Sequence, residues 1–145
     1  MVLVAKSLEK NPNVGSLLRD PLFSSYYPTF EEYFETHRYF LNSQFGLDID
    51  KDRALTSFLN YVVEPFVTAL RSLGPSNISF AYFYFRAVNV WRNLKNAISL
   101  EEFPVTPDQA IKVVLLREGM VPWWKKILWN FQLRKISKRV NIDNI

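Results

Sequence analysis

Few side chains in this sequence are suited to making or breaking bonds. Asp48, Asp50 and Asp52 have the alternate spacing that opens a calcium loop. The sixth position, where such a loop turns on glycine, is Arg53, and the twelfth, where an acid closes it, is Leu59. The aspartates are better explained as caps for a following helix. His37 is the only histidine; on the apolar side of a helix and with no fixed partner, it reads as structural. Glu31, Glu32 and Glu35 cluster as paired carboxylates would, but they fall in an expected first helical turn, where negative charge suits the helix dipole. Four scattered glycines make no phosphate-cradling loop. The absence of cysteine excludes a thiolate metal site, an iron–sulfur cluster and a cysteine nucleophile. The sequence points away from an enzyme and implies no catalytic residue, no metal and no cofactor.

What remains is cationic. Arg86, Asn89 and Asn93, with Arg92 and Asn96 alongside, recur three and four residues apart and so share one helix face. Arginine forks grip phosphate, and asparagine offers donors and acceptors to sugar and phosphate oxygens. No acid lies between residues 76 and 100, whereas an ordinary solvated face would mix lysine with glutamate. The second constellation is residues 123–139, WWKKILWNFQLRKISKR, with six basic residues and no acid. Its final turns set Arg134, Lys135, Lys138 and Arg139 opposite an apolar line of Trp129, Leu133, Ile136 and Val140. Three readings compete for this segment: a membrane-surface helix, a phosphate-neutralising face, or core tryptophans with lysines reaching outward. Its first half (Trp123, Trp124, Ile127, Leu128, Phe131) reads as core, and its last turns as a contact surface.

These residues must be positioned by a chain of 145 residues, one domain in length. The apolar fraction of 48% against 22% charged places it among globular chains. No uncharged apolar run is long enough to span a bilayer. The N-terminus is charged by Lys6, too soon for a signal peptide, so an intracellular or virion-borne location is expected. The net charge of +4 is uneven. Residues 1–72 hold seven Lys/Arg against nine Asp/Glu, and residues 73–145 hold eleven against five, giving −2 and +6. That asymmetry suits an acidic partner. Aromatics reach 16%, and such a surplus suggests that some of them face another molecule.

Pro12, Pro21 and Pro28 recur too often for a long helix, so residues 1–28 are expected as an extended arm. Its Leu17, Leu18, Leu22, Phe23, Tyr26 and Tyr27 would lie on a neighbouring subunit. Residues 29–145 are expected as an all-α helical bundle of about five helices. Thr29-Phe-Glu-Glu32 reads as a capping box opening the first helix, which Gly46 stops. A second follows Asp50, with Ala54, Leu55, Phe58, Leu59, Val62, Phe66, Leu70 and Leu73 as its apolar face and a kink near Val63 imposed by Pro65. The third, over residues 76–100, buries Phe80, Phe83, Ala87, Val90, Trp91, Leu94 and Ile98. Thr106-Pro107-Asp-Gln109 opens a fourth, ending at Gly119. Pro122 opens a fifth that runs to about Val140.

Together the proline-dotted aromatic arm (NPNVGSLLRDPLFSSYY, residues 11–27), the cysteine-free helical body and the Asn-rich cationic faces resemble the major coat proteins of filamentous archaeal viruses, the lipothrixvirus and rudivirus group. The resemblance implies a virion protein that wraps linear double-stranded DNA, held in A-form, and polymerises into a helical filament. It also implies a second related coat subunit and, in lipothrixviruses, a lipid envelope outside. The net acidity of residues 1–72 departs from a half that makes wrapping contacts unaided. Two other classes fit the residues: a small helical subunit of an RNA-guided complex, and a peripheral membrane or partner-binding module using the C-terminal helix.

Overall fold

A computed structural model describes residues 15–46, 48–75 and 78–145, and among them the protein is helical with no strand. The helices are α1 (Gly15–Leu18), α2 (Phe23–Phe45), α3 (Lys51–Phe58), α4 (Glu64–Leu73), α5 (Phe80–Ala97), α6 (Pro107–Arg117), α7 (Trp123–Gln132) and α8 (Arg134–Arg139). Helix α5 is the hub: α1, α2, α4 and α6 all pack on it, and α4 and α6 also pack on each other. Its burial is broader than one stripe. Ala81, Tyr84, Phe85 and Val88 are buried alongside Phe83, Ala87, Val90, Leu94 and Ile98.

The expected arm is not extended where the structure describes it. Residues 1–14 lie outside the described residues, and from Gly15 onward the chain is helical or turning and packed. Helix α2 begins at Phe23 and runs through Pro28, so the boundary expected between residues 28 and 29 falls inside a helix, and Thr29 caps nothing. The energetics explain why. Pro28 forfeits one backbone bond, to Ser24 O, at a cost of about 3 kcal/mol. The same helix buries Phe23, Phe30 and Phe34, each contributing roughly 1.5–3 kcal/mol. Phe23 packs edge-on to Phe30 with ring centroids 5.1 Å apart, and Tyr26 stacks on Phe85 at 4.7 Å. Asp20 fastens this segment to α5. Its carboxylate accepts from Leu22 N–H (2.9 Å), Ser79 Oγ–H (2.9 Å) and Ala81 N–H (3.3 Å), while Ser79 Oγ caps α5 by accepting from Tyr82 N–H. Burial alone would raise the Asp20 pKa; the bonds from Leu22, Ser79, Ala81 and Phe80 outweigh it and hold the carboxyl below its ordinary value.

Other expected boundaries hold. Gly46 ends α2 in the left-handed region at φ 64°, and Asp50 caps α3 by accepting from Arg53 N–H at 2.9 Å. The Thr106–Gln109 capping box forms in both directions, at 2.9 and 3.3 Å. Pro65 has the expected effect through a π-helical turn, Leu59–Val63, in which Glu64 N–H reaches back five residues to Leu59 O. That turn holds an extra residue, so the buried face slips from the expected Val62 to Val63. The C-terminal helix is broken at Leu133 into α7 and α8, yet Trp129, Leu133 and Ile136 keep one buried line.

Candidate nucleic-acid interface

Helix α5 carries the first cationic set on its outer side. Arg86, Asn89, Arg92 and Asn96 are exposed and Asn93 is half-buried. Three of the five already have partners. Arg86 Nε lies 3.1 Å from Glu118 Oε1, just beyond α6, and its guanidinium covers the Tyr82 ring at 5.4 Å. Tyr82 donates its hydroxyl to the same Glu118 oxygen. Asn93 Nδ2 donates to the backbone oxygen of Ile145 at 3.1 Å. Arg92 crosses instead to α2 and lies over the Tyr33 ring at 4.9 Å.

Helix α8 carries the second set. Arg134, Lys135 and Lys138 are exposed, and none of them ion-pairs with a described acid; Arg134 lies over Phe131 at 5.0 Å. Arg139 is engaged, its fork gripping Glu102 with contacts of 2.7 and 2.9 Å. That grip and the Asn93–Ile145 bond draw the end of α8 and the residues after it to the C-terminal end of α5. Asn93 of the first set and Arg139 of the second, which make these contacts, therefore both lie towards the C-terminal end of α5, whereas Arg86 lies towards its start. Of the nine residues, Arg86, Arg92, Asn93 and Arg139 serve the fold's own contacts, and Asn89, Asn96, Arg134, Lys135 and Lys138 remain exposed.

The expected subunit-contact set is largely turned inward. Leu17 and Phe23 are buried, while Leu18, Tyr26 and Tyr27 pack against the core; only Leu22 is exposed. The large exposed apolar side chains lie elsewhere. The first half of the C-terminal segment, expected as core, is solvent-facing: Trp123 is 75% exposed, Trp124 54%, Ile127 65%, Leu128 47% and Phe131 65%. At 100° per residue these five span one arc of α7 opposite Trp129, the single α7 side chain buried in the body. Lys112 holds the inner side, donating to Gln132 at 2.8 Å. The outward strip presents on the order of 600 Å² of apolar surface, taking large side chains at about 200 Å² each. That is at the upper end of what monomers leave bare. The reason sequence misjudged it is plain: periodicity finds an apolar face and cannot say which molecule covers it.

Sequence reading also missed a cleft between α2, the π-turn region and α5. Its walls include Tyr33, Phe40, Phe58, Trp91, Arg92 and Lys95. The available signal was the Trp91–Lys95 spacing of four, which puts Lys95 Nζ 3.9 Å above the Trp91 ring. At its rear His37 Nε2 meets Ser57 Oγ at 2.9 Å, and burial holds the imidazole below its ordinary pKa. No protein-family model, curated protein or solved structure matches the chain.

Proposed function

We propose that this chain is a structural nucleoprotein, a coat-type subunit of a virion that holds double-stranded DNA through its phosphates and polymerises along it. The observation that carries the reading is the α7–α8 surface, where an outward aromatic strip adjoins three exposed cations, Arg134, Lys135 and Lys138, that form no ion pair among the described residues. The strip meets another copy and the cations meet the polyanion. The face of α2 supplies a fitting counterpart on that copy: Glu31, Glu32, Glu35, Tyr39 and Phe45 are all exposed. Acidic and aromatic, it complements a segment that is basic and aromatic. A contact between two different faces is head-to-tail, and where its rotation does not close a ring it generates a filament.

The test is nuclease protection of long, mixed-sequence duplex DNA at saturating protein across a salt series. Protection along the whole length, lost as salt rises, is the expected result. Each neutralised phosphate adds about 0.9 to the slope of log affinity against log salt, so replacing Arg134, Lys135 and Lys138 with Ala lowers it by about 2.7. Protection of single-stranded RNA in place of duplex would move the assignment to a subunit of an RNA-guided complex. The same α7 strip favours a second reading, a helix lying in an anionic membrane surface. Co-sedimentation with anionic vesicles, abolished by Trp123→Ala with Trp124→Ala and without any filament, would establish that instead.

A further inference from the structure

The cleft between α2 and α5 shares Arg92 and Asn96 with the candidate interface, but its aromatic walls and Lys95 have chemistry that phosphate wrapping does not use. Its volume is about 410 Å³, within the range of about 300–1,000 Å³ usual for small-ligand sites. No Asp or Glu lines it, yet Arg92 and Lys95 stand three residues apart at its mouth. Each cation rests on a ring: Arg92 on Tyr33 at 4.9 Å, and Lys95 on Trp91 at 3.9 Å. Burial, and after it the charge of Arg92, hold Lys95 below its usual pKa, so part of the shift comes from a second cation close by. An anion that drew the two cations together would relieve the repulsion and uncover two aromatic faces. A bare phosphate or carboxylate would leave those faces wet. A ligand that is both anionic and flat would cover them, and Asn96 at the rim offers both donor and acceptor to its edge.

We propose that this cleft binds a nucleotide, its phosphate held by Arg92 and Lys95 and its base laid against Tyr33 and Trp91. A duplex keeps its bases stacked inside and cannot supply one, so the source is a free mononucleotide or a nucleotide of a single strand. The proposal is independent of the coat reading: nuclease protection of duplex and occupation of the cleft can each fail without the other.

The experiment follows the Trp91 indole N–H of the full chain by NMR. The probes are adenosine 5′-monophosphate, adenosine, inorganic phosphate, a short single-stranded oligonucleotide and a duplex of the same length. A saturable shift with the mononucleotide, weakened at least tenfold in Arg92→Gln and in Lys95→Gln, supports the site with a free nucleotide as its source. Tighter binding of the single strand that depends on the same two residues supports it with a strand as its source. Asn96→Ala, at an exposed position, repeats the test without touching the core, and weaker binding with an unchanged thermal midpoint is expected. An equal shift with inorganic phosphate overturns the proposal in favour of a plain anion site. So does a response to the duplex alone, or no saturable shift with any probe up to about 10 mM, weaker than the millimolar range.

Discussion

Tyr84 heads the fully buried side chains by volume, and its hydroxyl has no hydrogen-bond partner among the described residues. Replacing it with Phe should stabilise the protein, against the usual direction of core substitutions. The ring keeps its edge-on packing on Phe66 and Phe85, with centroids 5.9 and 4.9 Å away. What is removed is the desolvation penalty of an orphan hydroxyl, about 1–3 kcal/mol. Against that stands a void of oxygen size, worth a few tenths at about 24 cal/mol per Å³. The net gain is about 1–2 kcal/mol. With an unfolding entropy of about 2.1 cal/mol/K per residue, a chain of 145 residues gains roughly 3–6 °C in Tm. Differential scanning calorimetry of the two proteins at pH 7 measures it. Alkali gives a second signature. Burial, with a smaller contribution from Tyr33, pushes the Tyr84 pKa far above its ordinary 10.0. The unfolded chain then gives up this proton first, so Tyr84's share of stability is present below pH 10 and lost above it. The advantage of Tyr84→Phe should widen across about pH 9–11. An unchanged or lowered Tm at neutral pH would refute the reasoning and mean that the hydroxyl is bonded in solution.

Three further outcomes follow from the same geometry. Burial holds His37 below its ordinary 6.5, so the unfolded chain takes the proton first and stability falls as pH drops through that value; urea midpoints between about pH 7 and 5 should show it, and His37→Gln should flatten it. Asp20→Asn removes the charge that ties residues 15–22 to the start of α5, and a denaturant titration should read a loss of about 1–2 kcal/mol at neutral pH, fading below the ordinary 3.8 of the carboxyl. Ile127→Glu with Leu128→Glu alters only exposed side chains; sedimentation should show more monomer, with stability changed by no more than about 0.5 kcal/mol per site.

Most local signals in the sequence proved dependable where the deciding partner lies a few residues away, the Thr29 box excepted, since the helix it was to open starts earlier, at Phe23. The Thr106 capping box, the Gly46 stop, the Asp50 cap and the disturbance before Pro65 are such cases, each settled within one turn of helix. The failures share the opposite property. Pro28 forecast an end to helix, but the decision rested with Phe85, Phe58 and the rest of a core that lies more than 25 residues away. Arg86, Asn93 and Arg139 are matched by Glu118, Ile145 and Glu102, partners 32 to 52 residues distant that no spacing rule anticipates. The outer face of α5 was legible because it follows from helical period alone. The role of each residue on it was not.

The α7 strip leaves one question that charge can decide. If two copies met α7 to α7 about a twofold axis, their basic segments would be brought towards each other, and added KCl would strengthen the contact by screening the repulsion. If α7 lies on the Glu31, Glu32 and Glu35 face of the next copy, attraction is screened and KCl weakens it. Apolar burial contributes in both geometries, so the sign of the salt effect separates them where affinity does not. Charge reversal sharpens the test. A variant with all three glutamates changed to Lys should fail to polymerise. Polymerisation of the Glu→Lys variant by itself, at wild-type strength, would rule out the α2 contact and leave the strip pairing with its own kind.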